Sequence, residues 1–482
     1  MRRLSFILPA TSGALLLAGC ATGPRYVRPE MPTPSAFHMA TAVEARAAHG
    51  NVDLVAWWRA FDDPLLANLV ERGLAQNLDL QQAVARVAQS RAALKGANAA
   101  LLPSAQVTGQ GGEVYQSTQT PIGRLGSAFP QFQRSTETYE LDLGASWEID
   151  LFGGQMAARD AARAQWQASE AGAVATRLAV AAQIADTYVA IRMFQARLDV
   201  ARAQLDTQQR LVDLVTLQYA KGVAAERELR QAEGALAQVR ALVPMLQNQL
   251  NMAMHALDVL IGAQPGTTQG ELAGKALVPT APAMSTAGGP ADLLRRRPDI
   301  IAAERKLAAT NAGIGVAISE YYPKFTLSGL LGTATAAAGG VFSGGATQAN
   351  GVMGLRWRLF DFGRVDADIK AAKGRHAEAL AAYRLTVLRA SQDVEDAFST
   401  LVQQESRAST LANGETALAK ARDASMAAYK NGYVSLIDVL DADRRLLETR
   451  DGAIQAKAAA ARGAIASFRA LGGGWNGLSK PS

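Results

Sequence analysis

The chain has 482 residues, of which 49% are hydrophobic and 19% are charged, and its formal net charge is +6. This balance is typical of a folded protein and excludes disorder along the whole chain. The basic excess is small and is dispersed among acidic residues, so it gives no indication of nucleic-acid binding.

The N-terminus has the features of a secretory signal peptide. Two arginines precede an apolar run over residues 4–18, which leads through Leu-Ala-Gly to Cys20. These last residues resemble the lipobox of bacterial lipoproteins, whose cysteine is acylated and becomes the first residue of the mature protein. We therefore expect removal of residues 1–19 and a covalent lipid on Cys20, with no other cofactor. Cleavage elsewhere, with Cys20 unmodified, is the alternative. Ala21 implies, by the same resemblance, transport to the outer membrane.

Beyond the signal peptide, the sequence predicts no membrane-spanning helix. Even the alanine-rich residues 171–191 contain Arg177 and Asp186, so no later window offers 18 uncharged apolar residues. Any membrane crossing would then need strands in a closed barrel, because open sheet edges cannot be satisfied in lipid.

The chain contains two copies of one unit, a feature that constrains the whole architecture. Seven residues between Asp79 and Gly109 recur between Asp299 and Gly329 at an offset of 220. Seven more, from Trp147 to Ala232, recur 210 residues later. The change of offset means that the first copy has about ten additional residues between these stretches, in a segment that tolerates insertion as loops do.

In each copy, alternating residues predict a β-hairpin. Every second residue from Tyr139 to Leu151 is apolar, and Met353 to Leu359 alternate in the same way, with Trp147 and Trp357 at equivalent positions. Such a face suits either a soluble core or membrane lipid, and the local pattern does not decide between them. The predicted hairpins cover about residues 104–152 and 324–362, with loops near 117–136 and 333–350.

A very long helix is predicted after each hairpin. Residues 155–219 contain no proline and one glycine, and residues 364–429 contain no proline and two glycines. Each segment would form a helix roughly 100 Å long, a length typical of coiled coils and helical arrays. Turns at Gly222 and Gly432 end these helices, and return helices are predicted over about 224–261 and 436–471.

The strand count predicts an oligomer. One chain supplies four strands, whereas about eight are needed to close a barrel. Three chains would supply twelve, an even number as in antiparallel bacterial barrels. We therefore predict a homotrimer.

Several motifs resemble the outer-membrane efflux family of TolC, and more closely its lipoprotein branch, which includes OprM, CusC and NodT-type proteins. They are GPRYVRP at 23–29, WW at 57–58, FDDPL at 61–65 and RRPDI at 296–300, which opens the second copy. The resemblance covers essentially the whole mature chain. It implies a membrane α+β fold in which a trimeric twelve-stranded β-barrel continues into a long antiparallel α-helical barrel across the periplasm, with a small mixed equatorial domain.

The resemblance and the repeat together predict how the chain is divided. The expected parts are a signal peptide at 1–19, a lipidated N-terminal extension and equatorial segment at 20–60, a first repeat at 61–261, an equatorial linker at 262–290, a second repeat at 291–471 and a C-terminal tail at 472–482.

The implied function is transport without catalysis. By resemblance, the chain is the outer-membrane exit duct of a tripartite RND-type efflux system in a Gram-negative bacterium, passing small molecules such as drugs or other toxic compounds. The implied partners are a periplasmic membrane-fusion adaptor, an inner-membrane RND pump and outer-membrane lipid. Two alternatives stay open: the channel of a type I protein-secretion system, which the lipoprotein N-terminus disfavours, and a structural periplasmic coiled-coil lipoprotein, which the paired strands disfavour.

Two aspartates form the predicted gate. Asp438 and Asp441 lie three residues apart at a helix start and share a face, so a threefold axis would gather six carboxylates. The resemblance implies that they line the periplasmic constriction, and simple helix-dipole stabilisation is the alternative. The first copy has Glu228 and Gln231 at the matching positions, and Val434 stands where TolC has an arginine.

The helix-hairpin turns are the predicted adaptor contacts, because the family presents hairpin tips to this partner. No metal or catalytic site is predicted, since the four histidines are far apart and the chain has one cysteine. The predicted contact residues are Lys221, Gly222, Val223, Asn431, Gly432 and Tyr433.

Overall fold

The computed structural model describes residues 22–46, 52–274, 276–284 and 289–476. The predicted signal peptide and Cys20 lie outside these ranges. The chain divides into two compact units. The first unit comprises residues 22–29, 88–168 and 304–381, and the second comprises the described residues of 30–87, 169–303 and 382–476.

The first unit contains a four-stranded antiparallel sheet whose strands lie in chain order. The loop inside the first hairpin includes a short helix, α4 (Pro121–Ser127), and the second loop includes two 3-10 turns, at Ala338–Gly340 and Gly344–Ala346. The strands are β1 (Ser104–Tyr115), β2 (Ser135–Ile149), β3 (Lys324–Thr335) and β4 (Thr347–Arg356).

The helices show the same order of elements in both halves of the chain. A 22-residue helix precedes each hairpin, and a 67-residue helix and a 35-residue helix follow it. The first set is α3 (Leu78–Ala99), α5 (Gly154–Ala220) and α6 (Glu226–Leu260), and the second is α9 (Pro298–Ser319), α10 (Arg364–Lys430) and α11 (Leu436–Ala470). The remaining described helices are α1 (Ala40–Glu44), α2 (Pro64–Gln76), α7 (Gln269–Leu272), α8 (Pro290–Arg296) and a 3-10 helix at Leu54–Phe61.

The prediction that β4 continues through Trp357 is wrong, because the strand ends at Arg356. Arg356 pairs with Lys324, the first residue of β3. Pro323 precedes Lys324 and has no N–H to extend the ladder, so the alternation beyond Arg356 lies outside the sheet.

The two tryptophans nevertheless have equivalent roles at the junction of strand and helix. The indole Nε1 of Trp147 donates to the carbonyl of Leu101, and that of Trp357 donates to the carbonyl of Tyr321, both at 3.0 Å. The tryptophans are related by the offset of 210, and the carbonyls by the offset of 220. The same hydrogen bond therefore recurs in both copies, with its donors related by one offset and its acceptors by the other.

A group of packed aromatic residues lies in the largely aliphatic core of the second unit. Trp57 is buried and stacks on Phe468 with ring centroids 5.5 Å apart. Tyr188, also fully buried, donates its hydroxyl to Asp63 at 2.6 Å, while the same aspartate caps the start of α2. Burial raises the pKa of Tyr188 to about 12, so the hydroxyl stays a donor.

Among the described residues, α5 is the one helix long and apolar enough, by length and composition, to span a membrane. Half of its most apolar 18-residue window is buried inside the protein. A core helix meets the same criterion, and in this fold α5 supplies buried residues such as Ile184 and Val215.

Candidate functional site

The α5–α6 and α10–α11 turns are built in the same way. Gly222 and Gly432 adopt left-handed φ values of +72° and +77°, a conformation that favours glycine at the end of a helix. The amide that follows each glycine caps the C-terminus of its helix. Val223 N donates to Gln218 O, and Tyr433 N donates to Ala428 O, both at 2.9 Å.

A single hydrophobic cluster holds the two turns together. Tyr429 of α10 packs against it, and its hydroxyl donates to Gln218 of α5 at 2.9 Å. Residues from both halves of the chain therefore form one packed end. We call this cluster the tip core; its buried members are Leu211, Val212, Val215, Leu229, Ala232, Leu236, Leu436 and Val439.

The predicted contact residues of both turns are exposed at this end. Val223 is 76% exposed and Tyr433 is 83% exposed, although both side chains are largely apolar. Both side chains are therefore accessible to a partner at the hairpin ends. Lys221, Gly222, Asn431 and Gly432 are exposed beside them.

Asp438 lies in the first turn of α11 and, together with Ser435, forms a capping box at the N-terminus of this helix. Its Oδ2 accepts hydrogen bonds from the amide and the hydroxyl of Ser435, at 2.9 and 2.6 Å. These bonds lower the pKa of Asp438, so the carboxylate is charged at neutral pH. At the matching helix start in the first copy, the N-cap residue is Ala225, whose methyl side chain cannot form the hydrogen bonds of such a cap.

Asp441, the second predicted gate residue, carries its own counter-charges. Its oxygens contact Arg444 at 2.8 Å and Arg445 at 2.7 Å. The hydrogen bond from Arg444 is the main reason why the pKa of Asp441 is lowered. The guanidinium groups therefore offset much of the negative charge, a feature that the sequence interpretation did not include.

The two aspartates share a face that points away from the tip core. Leu436 and Val439 are buried, whereas Asp438 is exposed and Asp441 is partly exposed. One chain brings two carboxylates together here. No group of three or more His, Cys, Asp or Glu able to hold a metal ion occurs in the part of the chain that the structure describes.

Asp443 is a buried carboxylate that sequence reasoning missed. It continues the buried stripe of Leu436, Val439 and Leu446 at spacings of three and four residues, the heptad-like pattern that marks an inward-facing position. Arg422 Nε lies 3.5 Å from Oδ1, but neither oxygen accepts a hydrogen bond of good geometry from a described residue. Burial therefore raises the pKa of Asp443, against partial opposing effects of Arg422 and the side chain of Gln204.

Asp443→Asn should stabilise this end of the helices at neutral pH. A raised pKa in the folded state means that the contribution of Asp443 to stability is present at acid pH and is lost as the pH rises above about 4. The asparagine variant avoids this loss, so amide hydrogen exchange in the first turns of α11 should be slower at pH 7 than in the wild type.

The pH dependence separates this effect from a change in packing. The difference between Asp443→Asn and wild type should shrink as the pH falls toward 4, while Asp423→Asn, at an exposed position nearby, should change little. Equal protection of wild type and Asp443→Asn from amide hydrogen exchange at pH 7 would contradict the conclusion that buried Asp443 destabilises this end when it is ionised.

The comparisons with known proteins agree along almost the whole chain. Residues 69–263 and 289–473 match the family model "Outer membrane efflux protein". The chain is 33% identical to nodulation protein T of Rhizobium leguminosarum bv. trifolii, covering 97% of both sequences. It is 30% identical to the pyoverdine export outer membrane protein OpmQ of Pseudomonas aeruginosa, covering 98% of this chain and 97% of OpmQ.

A solved structure gives the same result for the fold. The outer-membrane channel OprN matches with a TM-score of 0.85 and 31% identity, covering 95% of this chain and all of the OprN chain. The sequence resemblance to TolC-like channels is therefore confirmed.

Proposed function

Because the chain belongs to the outer membrane efflux protein family, we propose that it forms the exit duct of a tripartite pump, through which small molecules leave the cell. Members of the family are outer-membrane channels and not enzymes. The proposal includes a homotrimer with a twelve-stranded barrel, a periplasmic adaptor and an inner-membrane pump of the RND type. The name of OpmQ, which specifies pyoverdine export, supports a small-molecule cargo.

One observation carries this proposal: a four-stranded sheet and two 67-residue helices occur in the same chain. Each of these helices is roughly 100 Å long at 1.5 Å per residue. Four strands cannot close a barrel, but three copies supply the twelve strands of a continuous one. A coiled-coil lipoprotein without a channel has no use for such a sheet.

We place the gate at Asp438 and Asp441. Threefold symmetry would bring six carboxylates into one ring, which attracts cations and resists closure unless it is counter-charged. The contacts of Asp441 with Arg444 and Arg445 supply such counter-charge within each protomer. The contact between Tyr429 and Gln218 joins the two hairpins of one protomer, and we propose that it helps to hold the tip closed where Val434 replaces the TolC arginine.

We propose that Cys20 carries the lipid, and the residues that follow it contact the junction of sheet and helix in the first unit. Thr22 donates its hydroxyl to the carbonyl of Phe152 at 3.1 Å, and Asn311 donates to the carbonyl of Pro24 at 2.8 Å. The first described residues after Cys20 are therefore held at this junction.

The lipid assignment predicts that labelled palmitate enters the wild-type protein and is absent from Cys20→Ser. The acyl anchor would also be lost. Equal labelling of the two proteins would contradict the assignment.

The function is tested by deleting the gene in its own host and measuring intracellular accumulation of a panel of fluorescent dyes and antibiotics. Accumulation should rise for at least one compound and return to the wild-type level with a plasmid copy. If all compounds accumulate normally but a secreted polypeptide is retained, the chain serves protein secretion and the proposal is wrong.

A further inference from the structure

The outer strands of the sheet are open on one side. Among the described residues, no strand pairs with the outer edge of β1 or of β4. All twelve residues of β1 are exposed, and Met353 of β4 is 70% exposed. Unpaired backbone groups at such edges readily join another strand, and they cannot remain open within a membrane.

The two hairpins have the same internal register once the offsets of the repeat are applied. Ser104 of β1 lies opposite Ser146 of β2. Adding 220 to the first number and 210 to the second gives Lys324 and Arg356, which lie opposite each other in β3 and β4. Strand β1 is therefore the equivalent of β3, and β4 is the equivalent of β2.

The junction between β2 and β3 shows how the first copy of the unit joins the second. Here Leu143 lies opposite Leu331, and Asp142 lies opposite Gly332. In a ring of identical chains, β4 of one protomer meets β1 of the next, and this junction joins a second copy to a first. At both junctions, therefore, the outer edge of the second strand of one hairpin meets the outer edge of the first strand of the next hairpin.

We infer that β4 pairs with β1 of a neighbouring protomer in the register of the β2–β3 junction, so that Val352 lies opposite Gly112 and Met353 opposite Gly111. These pairs are the equivalents of Asp142 with Gly332 and of Leu143 with Leu331. The inference rests on the proposed assembly into a closed barrel and specifies which residues meet there.

The glycine at the junction supports this register. A Cβ on Gly332 would overlap Asp142 and lie 2.5 Å from the carbonyl oxygen of Leu141, so the close approach of β2 requires glycine. Its equivalent in β1, Gly112, has no heavy atom of the described residues within 4 Å of such a Cβ. Nothing in the single chain requires glycine at this exposed position, whereas an approaching β4 does.

The aromatic residue at the end of the sheet fits the same register. Trp147 lies opposite Leu327 in the β2–β3 junction. Its equivalent, Trp357, is the first residue beyond β4. Extension of β4 by this one residue along β1 of the neighbour would place Trp357 opposite Val107, and both side chains are more than half exposed in one chain. Cross-strand aromatic and β-branched pairs of this kind stabilise sheets.

Disulfide cross-linking of paired cysteine variants tests the register directly. The two matched pairs lie two and three residues further along the same register and leave the glycines of the junction in place. They are Val114→Cys with Asn350→Cys and Tyr115→Cys with Ala349→Cys. They are adjacent along the strands, so one pair occupies a non-hydrogen-bonded site, where side chains are closer. Oxidation should produce covalent oligomers on non-reducing gels from at least one matched pair. Single-cysteine variants control for reaction with Cys20, the one native cysteine.

The same four substitutions, recombined, supply the controls. Val114→Cys with Ala349→Cys and Tyr115→Cys with Asn350→Cys shift the register by one residue and place the thiols on opposite faces. These should cross-link roughly tenfold more slowly, because their Cβ atoms cannot approach to about 4 Å.

Native mass spectrometry of the same samples distinguishes failure of the proposed register from failure of the proposed trimeric duct. A trimer that cross-links equally well, or better, through the shifted pairs would overturn the register and leave the proposed duct intact, as would a trimer that cross-links through neither set. A monomer in detergent and in membranes would overturn both.

Discussion

Changing Val223 and Tyr433 to aspartate should abolish export by the cell while leaving the channel itself intact. Both side chains are largely exposed at the ends of the two hairpins and contribute little to the tip core. Charges there would have to be desolvated against an apolar partner surface, which costs several kcal/mol in a packed interface. The measurement is dye accumulation in the deletion strain that carries the variant.

A matched control separates docking from a general effect of surface charge. Leu277→Asp places a charge at a position that is also 83% exposed but lies far along the chain from both turns, and it should preserve export. Surface changes of this kind alter folding stability by about 0.5 kcal/mol or less, so all variants should reach the membrane in equal amounts. Normal export by the Val223→Asp and Tyr433→Asp double variant would exclude the turns as adaptor contacts.

Replacing Asp438 and Asp441 with asparagine should weaken block of the channel by a trivalent cation at least about tenfold, equivalent to about 1.4 kcal/mol. Six carboxylates would be lost from the ring of a trimer. Asparagine can still accept the hydrogen bonds of Ser435, so the start of α11 is preserved. The expected measurement is single-channel current against cation concentration in planar bilayers.

The pH dependence of this block follows from the lowered pKa of both carboxyls. Groups with a depressed pKa stay ionised above the ordinary aspartate value of about 3.9. Block of the wild type should therefore persist from pH 7 to about pH 5 and disappear only at lower pH.

The control removes the same number of charges close by. Asp213 and Asp423 are exposed, stand at equivalent positions of the two long helices, and lie near the same end. Asp213→Asn with Asp423→Asn should leave the block unchanged. If this control weakens block as much as the gate variant does, the effect is diffuse electrostatics and not a ring at Asp438 and Asp441.

The long helices could be predicted from sequence because their signals are local. The absence of proline over residues 155–219 and 364–429 leaves nothing to interrupt them, and the observed helices end within one residue of those limits. The end of β4 could not be read in this way. It depends on Pro323, which immediately precedes the partner strand β3 and is distant in sequence from Trp357.

The chemistry of the tip was harder to predict than its position. The spacing of Asp438 and Asp441 indicated a shared face, but a residue pattern does not show which arginines turn toward which carboxylate. The contact of Tyr429 with Gln218 joins residues 211 positions apart, and Asp443 is buried only because the stripe that it continues meets other helices. Such features depend on tertiary packing.

The most direct test of the exit duct is the electrical conductance of the purified wild-type protein in planar bilayers, recorded beside the Asp438→Asn and Asp441→Asn double variant. We predict discrete, ohmic current steps from a species with the mass of a trimer, with altered gating in the double variant. A purified, folded protein that inserts but gives no current steps in either form would contradict the account and favour a structural lipoprotein.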